Sequence, residues 1–321
     1  MSQVAHCPED ERLSIWYARP APHLSRYLTA YDSYHARLEP DEEARDVIPP
    51  AWAAIRIALD DFTWGARLGR RNFDPGPRNA LFGPSSHAAF TRFGPGRCVC
   101  VGLTPLGWAR FIRRDAAPFA DRITPLEVVW PELTAELRAA VEGADDPARA
   151  FDAFFTDLLL RTEMENAKVA QIAALLLDPQ VLTIGQMTER TGIDSRHIAK
   201  LSTRYFGFTP KLLLRRARFM RALIESMRVG RGAWKTLAVE AGYHDQPHFI
   251  RDCQLFLGMP ISTFMSRPKP LFEASLRLRA QVVGTPAQAR HPVEIGSMEA
   301  DTGVNPVSSD SRVSPAGRPG L

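Results

Sequence analysis

The chain has 321 residues, enough for two domains, and a hydrophobic content of 45% supports packed cores. No stretch approaches the roughly 18 uninterrupted apolar residues of a membrane span, and the polar, acidic residues 1–11 predict no secretory signal. The net charge of +4 conceals an asymmetry: residues 167–270 carry 16 Lys+Arg against 7 Asp+Glu, whereas residues 1–166 carry 19 against 24. The positive charge that a nucleic-acid surface needs is concentrated in the C-terminal half, and the acidic half is a poor nucleic-acid surface by itself.

Along the chain, residues 1–26 read as a lead-in, with Ile15-Trp16-Tyr17 able to dock. Residues 27–165 read as a second unit. Its first part offers short apolar runs at 53–59, 62–64, 79–82, 88–93 and 97–103, separated by turn residues that include Gly83-Pro84 and Gly94-Pro95. Many short strands with Gly/Pro turns predict a β-sandwich or barrel. A short helix is expected at 105–114, and longer ones at 133–141 and 148–177, where Phe151, Phe154, Phe155, Leu158 and Leu159 fall at helical spacing. Residues 269–321 read as a mostly disordered tail: a short helix at 271–283 is allowed, but no periodic apolar face to dock is recognised.

Residues 166–268 carry the strongest pattern. Ile184 and Met187 lie one helical turn apart, and Gly192 suits a left-handed helix end. Asp194 or Ser195 can cap the next helix, on which Ile198, Leu201 and Tyr205 share a face. About fifty residues later the scheme repeats: Gly242 ends a helix, Asp245 caps another, and Pro247 occupies its first turn. Two helix-turn-helix units on one connector suit two successive major grooves of a duplex.

Residues 184–267 resemble the DNA-binding domain of the arabinose-regulator (AraC/XylS) family of bacterial transcription factors. The resemblance rests on Gly192-Ile-Asp-Ser-Arg-His-Ile198, on Phe206-Gly-Phe-Thr-Pro210 with the Arg-rich helix after it, and on Ala241-Gly-Tyr-His-Asp-Gln-Pro-His-Phe-Ile-Arg251. Two positions depart from the family pattern: Pro260 is shifted by one, and Cys253 stands where an aromatic residue is usual. Val101-Gly-Leu-Thr-Pro-Leu-Gly-Trp108 and Phe119–Trp130 resemble one branch of the family's cupin-like sensor domains. The expected class is therefore α+β: an N-terminal cupin-like β-barrel with helices, then an all-α domain of two helix-turn-helix units joined by a linker helix. The implied partner is double-stranded operator DNA, with a small-molecule effector, RNA polymerase and a homodimer as further options.

On the first reading helix, Ser195, Arg196, Ala199 and Lys200 occupy the face opposite Ile198 and Leu201, and the resemblance places bases before them. Arg196 and Lys200 can bond guanine O6 and N7, Ala199 a thymine methyl; the competing reading is a solvated helix face. On the second helix, Gln246, His248 and Arg251 match the base-facing offsets, with His248 equally suited to a structural hydrogen bond. Thr209, Lys211, Arg215, Arg218 and Arg221 are phosphate candidates, while Arg216 points elsewhere, toward the sensor domain. Phe219, Leu223 and Trp234 read as core. Trp52, Phe62, Trp64, Phe90 and Trp108 (with Phe93) can line a ligand pocket or form barrel core.

Catalytic signals are weak. His23, His35 and His87 show no metal-ligand spacing, and Cys7, Cys98, Cys100 and Cys253 fit neither a disulfide framework nor a zinc pattern, which favours a reducing cytoplasm. No cofactor and no metal are expected. A metal-dependent cupin enzyme fused to a DNA-binding module and a ligand-independent DNA-binding scaffold are the alternatives to a ligand-sensing regulator.

Overall fold

The computed structural model describes residues 3–7, 10–164, 166–229, 239 and 241–285. Its first part contains the strands β1 Gln3–Cys7, β2 Asp10–Ala18, β3 Leu28–Ala36, β4 Ala44–Ile48, β5 Ala54–Ala58, β6 Trp64–Leu68, β7 Arg71–Phe73, β8 Asn79–Phe82, β9 Ala89–Phe93, β10 Gly96–Leu103 and β11 Ile123–Pro125. They form a seven-stranded sheet in the order β1-β2-β3-β10-β5-β8-β11 and a four-stranded sheet in the order β4-β9-β6-β7. Neighbouring strands pair antiparallel in both, for example β10 with β3 and β5, and β9 with β4 and β6.

The period-two alternation of side chains decides what each face meets. On the large sheet, Ile55, Ile57, Val99 and Val101 pack in one cluster with Phe151 and Phe155 of a covering helix. The intervening Ala58, Cys98 and Cys100 face Trp64, Ala66 and Phe93 of the small sheet. The lead-in expectation is corrected here. Residues 3–7 and 10–18 supply two strands of the large sheet, and Leu13, Ile15 and Tyr17 alternate into the sandwich with partners Ala36, Tyr34 and Asp32. The acidic flank around residues 9–12 hides this run in the sequence, because its pairing partners lie some twenty residues away.

The helices are α1 Pro105–Gly107, α2 Leu133–Glu142, α3 Pro147–Arg161, α4 Ala167–Leu177, α5 Ile184–Thr191, α6 Ser195–Phe206, α7 Pro210–Val229, α8 Gln246–Leu257, α9 Ile261–Ser266 and α10 Pro270–Val283. The helix expected at 105–114 is α1 followed by a π-turn, Trp108–Ile112, which ends on left-handed Arg113 (φ 56°). The single helix expected at 148–177 is two. Thr162 leaves α3 in extended backbone, its hydroxyl donating to Leu158 O at 2.9 Å, and Asn166 caps α4 by accepting the Lys168 N–H.

The tail expectation is also corrected for its first part. Leu271, Ala274, Leu278 and Val282 of α10 are buried inside the sandwich, in the cluster that contains Leu13, Ile15 and Tyr17. No side chain of its own caps α10. Asp46 of β4 does so instead, accepting the N–H groups of Leu271 at 2.7 Å and Phe272 at 3.2 Å. Burial pushes the Asp46 carboxyl up to about 7 against those hydrogen bonds. The apolar stripe of α10 is narrow and includes an alanine, so its docking depends on the open end of a sandwich that local pattern does not reveal. The remainder of the tail, 286–321, lies outside the described residues. Among the described residues, no helix is long and apolar enough to cross a membrane.

Candidate nucleic-acid interface

The first helix-turn-helix unit is built from local signals. Thr183 and Gln186 form a reciprocal capping box at the start of α5, and Gly192 ends that helix at φ 67°. Asp194 starts α6 by accepting the His197 N–H at 2.9 Å, a bond that holds its carboxyl below the usual carboxylate range. Ile198, Leu201 and Phe206 are buried, whereas Ser195, Arg196 and Lys200 are exposed and Ala199 is half-buried. The polar face thus stands in solvent at the N-terminal half of the helix, the half that reaches base edges in helix-turn-helix readers.

The second unit repeats the geometry. Gly242 is left-handed at φ 83°, Asp245 caps α8 by accepting the His248 N–H at 2.7 Å, and Pro247 lies in the first turn. Gln246 and Arg251 are exposed; Phe249, Cys253, Phe256 and Leu257 are buried. Cys253 therefore serves as a small core residue. His248 is half-buried, its Nε2 3.4 Å from Arg218 and its ring edge-on to Tyr243 at 5.3 Å, so its contacts are structural. The first helix expected in this unit and Trp234 lie outside the described residues, apart from Val239.

The connector α7 separates the phosphate candidates. Lys211 and Thr209 are exposed, and the Thr209 hydroxyl accepts the Leu212 N–H at 3.4 Å. Arg215 is corrected to a structural residue: its Nε and Nη2 both lie 2.5 Å from Oδ1 of the fully buried Asp252 on α8. Arg218 lies 3.9 Å from the same carboxylate and 4.4 Å from the Tyr243 ring, whose hydroxyl donates to Asp252 at 2.7 Å. Arg221 is half-buried, and burial lowers its pKa. Sequence spacing placed these arginines on one side of α7 but could not show that a carboxylate from another helix faces them.

Both reading helices are tied to the sandwich at their far ends. Near the end of α6, Arg204 O accepts the Ala116 N–H at 2.6 Å, and its guanidinium pairs with Asp115 at 3.1 Å. A Cβ on the following Gly207 would stand 2.8 Å from Pro84 Cγ, so glycine is required both for space and for its φ of 81°. Near the end of α8, Phe256 O accepts the Ala88 N–H at 2.7 Å. Between them, Arg216 of α7 donates to Ser85 O at 2.7 Å and lies 4.0 Å above the Trp52 ring. Asp121 clasps the two loops involved, accepting the Ser86 N–H and hydroxyl at 2.6 and 2.7 Å and pairing with His87 at 3.4 Å. That pairing raises the His87 pKa and helps hold Asp121 low.

Residues 187–267 match the family model described as a helix-turn-helix domain. This region is a helix-turn-helix domain. Among solved structures, ToxT from Vibrio cholerae O395 superposes loosely: 12% identity over 70% of this chain and 96% of its own, with a TM-score of 0.36. The AraC-like transcriptional activator CuxR is 10% identical over 75% of this chain and 90% of its own, with a TM-score of 0.26. Comparison with curated protein sequences finds no match.

Behind the helix-turn-helix domain, a cavity of about 180 Å³ lies between the sandwich, α7 and α10. Of the aromatic candidates, Trp52 and Phe62 line it, as does Phe93. Trp64 stacks on Phe82, Trp108 is fully buried with its indole N–H on Arg114 O, and Phe90 lies between Arg67 and Arg267; these three are packing residues. Sequence reasoning missed the polar component. The register sets Tyr17 beside Asp32, Asp32 beside Cys100, and Cys100 beside Arg56, a row across β2, β3, β10 and β5 inside the sandwich. The signal was present as Asp32 on β3 and as Arg56, the one charge in the otherwise apolar β5. Burial raises the Asp32 carboxyl to about 6, and the nearby Arg56 opposes the shift.

Proposed function

We propose that the protein is a sequence-specific DNA-binding transcription regulator whose N-terminal sandwich senses a small molecule. One arrangement carries the reading. Both reading helices expose their N-terminal halves, with Arg196 and Lys200 on one and Gln246 and Arg251 on the other, while their C-terminal ends are bonded to sandwich loops. In this reading Arg196, Lys200 and Arg251 bond guanine edges, Gln246 an adenine, and Ser195 and Ala199 a hydroxyl-accepting group and a thymine methyl. Thr209 and Lys211 contact phosphate, as does Arg221 at the half-buried edge of α7. A change at loops 83–88 and 115–121 would alter the placement of both helices together, giving a sensed ligand a route to DNA affinity. Selecting duplexes from a random library tests the reading: the selected site should bind at least about 10³-fold more tightly than random DNA at equal salt. Equal affinity for both would reject it.

A further inference from the structure

We propose that the cavity between the sandwich and α10 is a binding site for a small organic carboxylate, held by Arg56 and Arg279. Arg56 is 9% exposed and Arg279 8% exposed, and both line the cavity. The Nε of each has no hydrogen-bond partner among the described residues. A buried N–H left unsatisfied is costly, and the unpartnered Nε–H of a guanidinium can donate to a carboxylate. Rings cover Arg56: its guanidinium lies 4.9 Å from the Trp64 ring and 4.7 Å from the Phe82 ring. Stacked rings leave the in-plane N–H edge as the direction in which it can donate. Among the described residues, the hydrogen bond that Arg279 makes is to Thr29 O, at a long 3.4 Å.

Charge complementarity points the same way. Asp32 is the carboxylate whose charge acts on both Arg56 and Arg279. Asp46, also on the wall, is committed to the N–H groups at the start of α10. Arg216, at the α7 side, donates to main-chain carbonyls. Among the described residues, these two buried arginines therefore share one carboxylate, and a single negative charge completes the set. Size sets the rest of the ligand: about 180 Å³ exceeds the cavity of about 150 Å³ that accepts benzene, so one six-membered ring or a short chain fits. Trp52, Phe62 and Phe93 supply the apolar wall.

The helix that contributes Arg279 follows the second reading helix in the chain, and its Ser275 accepts the Tyr17 hydroxyl at 3.2 Å. A ligand bridging Arg56 and Arg279 thus joins the sandwich floor to α10, the helix that follows the helix-turn-helix domain in the chain. The regulatory consequence rests on the proposed sensing function; the binding itself does not. The test is calorimetric titration of the full chain, without DNA, with cyclohexanecarboxylate and its neutral analogue cyclohexylmethanol. The acid should bind at least about tenfold more tightly than the alcohol. Arg56→Met and Arg279→Met should each weaken the acid by at least about tenfold and leave the alcohol unchanged, since replacing a buried charge by an apolar side chain is tolerated. Equal affinities for acid and alcohol, acid binding unchanged in both variants, or no binding of the acid or of butyrate up to about 10 mM would each overturn the site. Operator binding measured in parallel separates the readings: selective DNA binding without carboxylate binding removes this site alone, and the converse removes the proposed regulator alone.

Discussion

Asp252 is the residue whose loss should most damage the second reading helix without touching DNA. Its carboxylate is fully buried and accepts from Arg215 at 2.5 Å and from the Tyr243 hydroxyl at 2.7 Å. Removing one partner of a buried ion pair costs about 3–5 kcal/mol when the other charge stays buried. The Arg215 side chain is 35% exposed and can turn to water, which reduces this share to about 2–3 kcal/mol. Tyr243 is 3% exposed and cannot turn out, so an orphaned hydroxyl adds about 1–3 kcal/mol. Asp252→Ala should therefore destabilise by about 3–6 kcal/mol, and Asp252→Asn by less, because the amide oxygen still accepts from Tyr243. Urea denaturation followed by circular dichroism measures the loss. Arg215→Ala is the companion: it should lower stability while leaving the salt dependence of DNA binding at its wild-type slope. A slope shallower by about 0.9 in the log–log plot, with stability intact, would show that Arg215 contacts phosphate and refute the structural assignment.

Further outcomes follow from the same contacts. Arg196→Ala and Arg251→Ala should each cost about 1–3 kcal/mol on the preferred duplex and relax preference at different base positions, measured by competition with single-base variants; equal losses on random DNA would make them phosphate contacts. Truncation after Lys269 removes Leu271, Leu278 and Val282 from the sandwich, each burial stabilising by about 1.5–3 kcal/mol at most, so the denaturation midpoint should fall markedly. An unchanged midpoint would mean that α10 does not close the sandwich. The pairing with Asp121 raises the His87 pKa above its ordinary value, so its stabilisation is full below about pH 6.5 and lost as pH rises through the folded value. His87→Gln should thus cost more stability at about pH 6 than at about pH 8.5, and a cost independent of pH would exclude a charged His87.

The C-terminal half was readable because its determinants are local. Gly192 and Gly242 adopt the left-handed backbone, Asp194 and Asp245 cap within three residues, and Ile198 and Leu201 are separated by less than one turn. Each signal acts over one or two helical turns, so a linear pattern contains both members of the interaction. The same locality made the exposed face bearing Arg196 and Lys200 legible, and it exposed Arg216 as the connector residue that points away from its neighbours.

What only the tertiary structure decided has both partners far apart in sequence. Arg215 looks like any surface arginine until Asp252, on another helix, is placed against it. Leu13, Ile15 and Tyr17 become a strand because residues 32–36 lie beside them, and α10 becomes part of the sandwich because Asp46 caps it and the sheets leave a space for Leu278. The row Tyr17–Asp32–Cys100–Arg56 exists only through the register of four strands, and Arg279 reaches it from more than two hundred residues away. Composition and periodicity report which face of an element is apolar. Which charge stands opposite which depends on strand register and helix docking, and those are set by the packing of the whole chain.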